Sequence, residues 1–221
     1  MPSLTLTTWG HAGVRLERDG RVLVVDPGTF TDPRMLDGAD AVLVTHEHPD
    51  HVDVPRVAAA LAADAAPELW APAPVVEQLA GAGAPAERLH AVDDGASFDA
   101  AGFAVQALAH EHATIHPDVP RPANVAFLVE GTVLHPGDSF APAPPGTSLQ
   151  VLAVPVAGPW MKLAEAVDYV RQVSPRVAVP IHDAILNDAG HGLVDRLVGG
   201  LGGAEYRRLA PGEPLEVPLA G

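Results

Sequence analysis

A short, continuously apolar run, Ala41-Val42-Leu43-Val44, leads directly into Thr45-His46-Glu47-His48-Pro49-Asp50-His51. The segment Ala39 to Thr45 is too short for a helix and shows no polar alternation, so it reads as a strand buried on both faces, which requires packing layers on either side of its sheet. The His-x-His-x-Asp-His cluster then falls at the carboxyl end of that strand, where side chains are free of the ladder and can converge on one point. Such a pattern is expected by chance on the order of 0.002 times in a chain of this composition. Imidazole and carboxylate together are the donor set of a catalytic Zn, Mn or Fe(II) site.

The remaining chain supplies the layers. Leu4 to Thr8 alternates apolar and polar residues, Val14 to Glu17 follows a His11-Ala12-Gly13 turn, and Asp19-Gly20 is a hairpin signal ahead of Arg21 to Asp26. A helix is expected from Asp53 to Ala63, with Asp53 as N-cap and Pro55 in its first turn, then a strand over Glu68 to Ala71 and a helix over Pro74 to Ala80. Strands follow at Phe103 to Leu108, Asn124 to Val129 and Thr132 to His135. The last third reads strand (Val151 to Val154), helix (Leu163 to Val173), strand (Val177 to Ile181) and helix (Leu193 to Leu201). No Pro/Ser/Gly linker separates the halves, so residues 1–221 are expected to form one α/β domain.

Composition narrows the function. Thirteen Lys and Arg stand against 28 Asp and Glu, a formal charge of -15, which argues against a nucleic-acid partner. There is no Cys, so disulfides, thiolate metal sites and a Cys nucleophile are excluded. The first seven residues lack the basic start and apolar run of a signal peptide, and no run of 18 apolar residues occurs. The expectation is a cytoplasmic protein without a membrane partner, acting on a small molecule, with homo-oligomerisation left open.

Three later blocks continue the pattern in order: His110-Glu111-His112 past the strand ending at Leu108, Asp138 in His135-Pro136-Gly137-Asp138-Ser139, and His182 in Val179-Pro180-Ile181-His182-Asp183. With them the chain resembles the metallo-β-lactamase-fold hydrolases. Trp9-Gly10-His11-Ala12-Gly13 and Val24-Val25-Asp26-Pro27 look like the branch of the ascorbate-6-phosphate lactonase. The resemblance implies a four-layer αββα sandwich with two mixed β-sheets and a binuclear centre at the strand ends. It implies a first ion on His46, His48 and His112, a second on Asp50, His51 and His182, and Asp138 bridging them. Zn2+, two per chain, is the expected cofactor, with Mn2+ or Fe2+ as alternatives. The implied reaction is hydrolysis of a small ester, lactone or phosphodiester, the paired cations lowering the pKa of a shared water and Asp50 orienting the hydroxide and moving its proton.

The third ligand of the first ion is a contest. Residues 110 and 112 share a face if the strand continues, so pleat geometry leaves both open. The family's spacing favours His112, and Pro117 and Pro120 commit His116 to a loop heading away. Beyond the ligands, His11 is expected to act at the reaction centre or touch substrate, and His135 to orient a ligand. Lys162, the sole lysine, together with Trp160 and His116, is expected to contact substrate; His90 and His191 carry no motif. Three alternatives share the ligand set: an RNase Z-type nuclease, a diiron oxidoreductase, and a metal-holding binding or sensor module without turnover.

Overall fold

A computed structural model describes residues 2–63, 67–109 and 111–219. The chain opens with β1 (Ser3–Thr8), β2 (Val14–Arg18) and β3 (Arg21–Val25), the last two joined by a turn with Asp19 and Gly20 at φ 52° and 75°. Both central residues left-handed is the geometry that matches the twist of a two-residue hairpin. There follow β4 (Ala41–Leu43), α1 (Val54–Leu61), β5 (Glu68–Ala71), α2 (Ala73–Gly81) and β6 (Leu89–Ala91). The second half runs β7 (Ser97–Ala100), β8 (Phe103–Ala109), β9 (Val125–Val129), β10 (Val133–His135), β11 (Val151–Pro155), α3 (Leu163–Val173), β12 (Val177–Ile181), α4 (Asp188–Leu201), β13 (Glu205–Tyr206) and β14 (Leu215–Pro218).

Two seven-stranded sheets result, in the orders β14-β1-β2-β3-β4-β5-β6 and β13-β12-β11-β10-β9-β8-β7. Each is mixed: β3 to β6 are parallel and the hairpin strands antiparallel, and β10 to β13 repeat this in the second sheet. Alternation sorts the side chains. Leu4, Leu6, Leu23, Val25 and Leu43 face Phe103, Phe127, Val151, Val177 and Val179 between the sheets. Val42, Val44 and Leu69 face outward under α1 and α2, while Leu152, Val154 and Ala178 lie under α3 and α4. The apolar runs exist because both faces of these strands are covered, and the architecture is the expected αββα sandwich.

The differences from expectation lie at edges and ends. Helix α4 begins at Asp188, five residues before the apolar periodicity, because Asn187 Oδ1 accepts the Gly190 N–H at 3.0 Å and starts a turn through two glycines. Replacing Asn187 with alanine should cost about 1 kcal/mol and lower Tm by roughly 2–4 °C in a thermal melt. Strands β6, β7, β13 and β14 are the short edge strands of the two sheets; β14 ends on Pro218, which an edge tolerates because one side of it has no ladder to feed.

Topology places the site. Strands β1, β3, β4, β8, β10, β11 and β12 all end toward the same side, and the loops leaving them carry His11, Asp26, His46 to His51, His112, Asp138, Trp160 and His182 respectively.

Candidate metal centre

Two groups of donors assemble there. Ligand atoms of His46, His48, His112 and Asp138 lie within 4.8 Å of one another, and those of His11, Asp50, His51 and His182 do likewise. Asp138 stands between the groups: Oδ2 is 3.3 Å from His112 Nε2 and 3.1 Å from His182 Nε2, and Oδ1 is 3.0 Å from His51 Nε2. His46 Nε2 and His48 Nδ1 are 3.0 Å apart, and His182 Nε2 lies 3.5 Å from Asp50 Oδ2. Bonds of about 2.1 Å at tetrahedral or octahedral angles put ligand atoms roughly 3.0–3.4 Å apart, so these spacings suit donors around ions.

The unpaired atoms support that fit. Five buried side-chain atoms have no hydrogen-bond partner among the described residues, and four of them are His51 Nε2, His112 Nε2, His182 Nε2 and Asp138 Oδ1. Buried polar atoms are otherwise nearly always satisfied, so their concentration here calls for a cation.

The far nitrogen of each ring assigns its tautomer. His51 Nδ1–H donates to Asp26 Oδ2 at 2.7 Å, His112 Nδ1–H to the Ala113 carbonyl at 2.6 Å, and His182 Nδ1–H to the Ala157 carbonyl at 2.6 Å. The Thr45 hydroxyl spends its proton on Asp26 Oδ2 at 2.8 Å, so its oxygen accepts from His46 Nδ1–H at 3.0 Å. All four rings therefore turn Nε2 inward, the nitrogen that ligation uses. His11 is the opposite case. Its Nδ1 accepts the Ala184 N–H at 3.3 Å, leaving the proton on Nε2, 3.1 Å from Asp50 Oδ2. It joins its group as a hydrogen-bond donor to Asp50.

Charge follows burial. Burial pulls His51 down, but the carboxylates of Asp138 and Asp26 overcome it and hold the ring well above the usual histidine range. Burial likewise opposes protonation of His182, which the adjoining carboxylates of Asp138 and Asp50 push up to about 9. Asp138 and Asp50 resist burial and are held below the carboxylate range, Asp138 chiefly by the charge of His51 and Asp50 by the hydrogen bond from His11 and the nearby His182. Burial, then the charge of His51, keeps His46 low.

The scaffold beneath is tight. Asp26, fully buried, accepts the Thr45 N–H at 2.8 Å besides the Thr45 hydroxyl and His51. His135 joins neither group; its Nε2–H donates to the Ala12 carbonyl at 2.8 Å and its Nδ1 accepts the Gly137 N–H. Asn124 Oδ1 accepts the Asp138 N–H at 3.0 Å. His11 and His182 both have left-handed backbones, φ 46° and 59°, and His182 N–H donates to the His11 carbonyl at 2.9 Å. Strain of this kind persists where the surroundings over-determine it.

The residues expected at substrate are dispersed. Lys162 is exposed at the start of α3, where its backbone N–H donates to Glu165 at 2.6 Å, and its ammonium has no partner among the described residues. His116 is exposed beside Asp118 at 3.5 Å. Trp160 is buried, 9% exposed, and donates its indole N–H to Asp138 Oδ2 at 3.0 Å. His110 lies outside the described residues. Sequence reasoning gave no role to Asp26 or Asn124, although an acid closing the apolar run Val22-Leu23-Val24-Val25 was the available signal for the first.

Two seven-stranded sheets in a four-layer sandwich, with His and Asp donors gathered at one end, define the metallo-β-lactamase fold. The chain belongs to the metallo-β-lactamase superfamily: residues 5–182 match the family described as Beta-lactamase superfamily domain. Protein Rv0786c of Mycobacterium tuberculosis is 39% identical over 196 residues, 86% of this chain and 89% of that one. The Escherichia fergusonii protein named Probable L-ascorbate-6-phosphate lactonase UlaG is 31% identical over 154 residues, 58% of this chain and 42% of that one. Igni18, a metallo hydrolase of Ignicoccus hospitalis, superposes with a TM-score of 0.73 at 20% identity, covering 99% of this chain and 100% of its own. Among the described residues, no helix is long and apolar enough to cross a membrane.

Proposed function

We propose that this metal-dependent hydrolase carries two ions per chain and cleaves a small ester, lactone or phosphodiester, with residues 1–221 working as one domain. The observation that carries the reading is the inward Nε2 of His46, His51, His112 and His182 around an Asp138 placed between both groups. In it, His46, His48 and His112 would hold one ion, Asp50, His51 and His182 the other, and Asp138 would serve both. Zn2+ or Mn2+ held there would supply a hydroxide nucleophile at neutral pH and polarise the scissile carbonyl or phosphoryl oxygen. Imidazoles with Nδ1 tied back are held facing the site. Asp50, with Oδ2 fixed by the His11 Nε2–H, accepts and passes on the proton of the attacking water. Exposed Lys162 is available to an anionic part of the substrate, and His116 forms part of the rim. The working compartment proposed is the cytoplasm.

At least ten of the 13 cations pair with a carboxylate among the described residues, so the chain offers little for a nucleic-acid backbone, and the nuclease alternative has no support from charge. Turnover separates an enzyme from a metal-holding sensor. Bis-p-nitrophenyl phosphate and a panel of simple lactones should be hydrolysed, with activity lost to a chelator and restored by Zn2+ or Mn2+. Absence of turnover on all of them by protein shown to hold two ions would favour the sensor.

Single variants test the assignments. His112→Ala should lose about one equivalent of metal. His11→Ala should keep both equivalents while turnover falls about 10²–10⁴-fold, because a proton donor to Asp50 goes and no ligand does. Loss of an ion from His11→Ala, measured by elemental analysis, would make His11 a ligand instead.

A further inference from the structure

The indole N–H of Trp160 reaches the carboxylate that serves both donor groups, and the expected role as a substrate wall does not account for it. Its partner Asp138 Oδ2 is the oxygen lying 3.3 Å from His112 Nε2 and 3.1 Å from His182 Nε2, one ring from each group. The indole is placed evenly over both, its ring centroid 6.2 Å from that of His112 and 6.0 Å from that of His182. An indole nitrogen is a donor only and carries a single proton. It can therefore occupy one lone pair of Oδ2 at any ordinary pH without competing for a cation.

The surroundings fix that donor. Phe140 packs edge-on against Trp160 at 5.4 Å and is itself 5.2 Å from Tyr169, whose hydroxyl donates to the Ala141 carbonyl at 2.6 Å. Phe140 and Ala141 follow Asp138 by two and three residues, so α3 grips the turn bearing the carboxylate through one aromatic series. On the other side the indole edge lies on Gly158, where an added Cβ would sit 2.8 Å from Nε1 and 3.0 Å from Cε2. Any side chain at 158 would push the N–H off its line to Asp138.

We infer that Trp160 is a positioning residue of the metal centre: its N–H sets the orientation of the Asp138 carboxylate, and through it the affinity and coordination of the ions that Asp138 shares. This rests on the two donor groups holding metal. An orienting hydrogen bond to a ligand is generally worth 10- to 100-fold in metal affinity.

The test uses full-length protein stripped with chelator. Zn2+ affinity is measured by competition with a chromophoric chelator, and coordination by the visible absorption of the Co2+-loaded protein. Trp160→Phe keeps an aromatic ring in place and deletes only the donor and the second ring. It should weaken Zn2+ binding about 10- to 100-fold and shift the Co2+ bands. Gly158→Ala, which retains the tryptophan and displaces its N–H, should move both readouts in the same direction and carries the test alone if Trp160→Phe does not fold. Trp70→Phe, altering a tryptophan stacked between His90 and Phe98 away from both groups, should move neither. Wild-type Zn2+ affinity and an unchanged Co2+ spectrum in Trp160→Phe, or in Gly158→Ala where that stands alone, would overturn the inference and reduce Trp160 to packing. Failure of the wild-type protein to bind Zn2+ or Co2+ would instead sink the metal reading beneath it.

Discussion

Replacing Gly28 with alanine should lose the ion proposed for Asp50, His51 and His182 and lower turnover by at least about 10²-fold, the usual penalty for misplacing catalytic groups by an ångström. The added methyl would overlap the Asp50 carbonyl and stand 2.6 Å from the His51 N, contacts with backbone that no rotamer change relieves. The two loops are also bound to each other, Thr29 N–H to the Pro49 carbonyl at 2.8 Å and Asp53 N–H to the Pro27 carbonyl at 3.0 Å, so neither can yield alone. The overpacking should cost roughly 1–3 kcal/mol in a denaturant melt. Gly81→Ala is the matched control: its Cβ meets nothing, and it sits at the end of α2, so stability should hold or rise slightly. A Gly28→Ala protein with full metal content and wild-type turnover would show that the close approach does not position the ligand loop.

Asp138→Asn should abolish turnover while the fold survives with chelator present, since it alters a shared donor at the sandwich rim and leaves the inter-sheet core intact. A stability effect specific to the metal-free protein accompanies it. His182, 6.5 when unperturbed, is held at about 9 partly by Asp138, so that contribution is complete below pH 6.5 and fades as pH rises through 9. Asp138 itself lies well below 3.8, so its contribution is present above that value and disappears in acid. The loss of stability in Asp138→Asn should therefore be largest between about pH 4 and 6.5 and shrink toward pH 9. A difference that grows with pH would contradict the assigned pairings.

The legibility of the sequence had a physical boundary. Strands covered on both faces, such as Ala41–Leu43 and Val177–Ile181, announce themselves because burial demands an apolar residue at every position. The donor cluster was legible because the His and Asp residues that the structure gathers in two groups follow the strand ends in order. Edge strands such as Glu205–Tyr206 and Leu215–Pro218 pair on few residues and impose no such composition. Helix α4 was misread at its start because one side-chain cap at Asn187 outweighed the poor propensity of Gly190 and Gly192. Partners across the fold were the hardest to read. Asp26 under His51 is 25 residues away and Trp160 beside Asp138 is 22, and no local pattern joins such pairs. His11 shows the same limit: its place near the site was readable, while its role as a donor depends on the Ala184 N–H, 173 residues on.

The most direct test of the central claim is to titrate chelated, full-length protein with Zn2+ or Mn2+ while following hydrolysis of an activated phosphodiester or lactone. Two ions sharing Asp138 predict turnover that rises with added metal and breaks to a plateau at about two equivalents per chain. Turnover that stays at background through excess of either metal, or that saturates fully at one equivalent, would contradict a binuclear hydrolase.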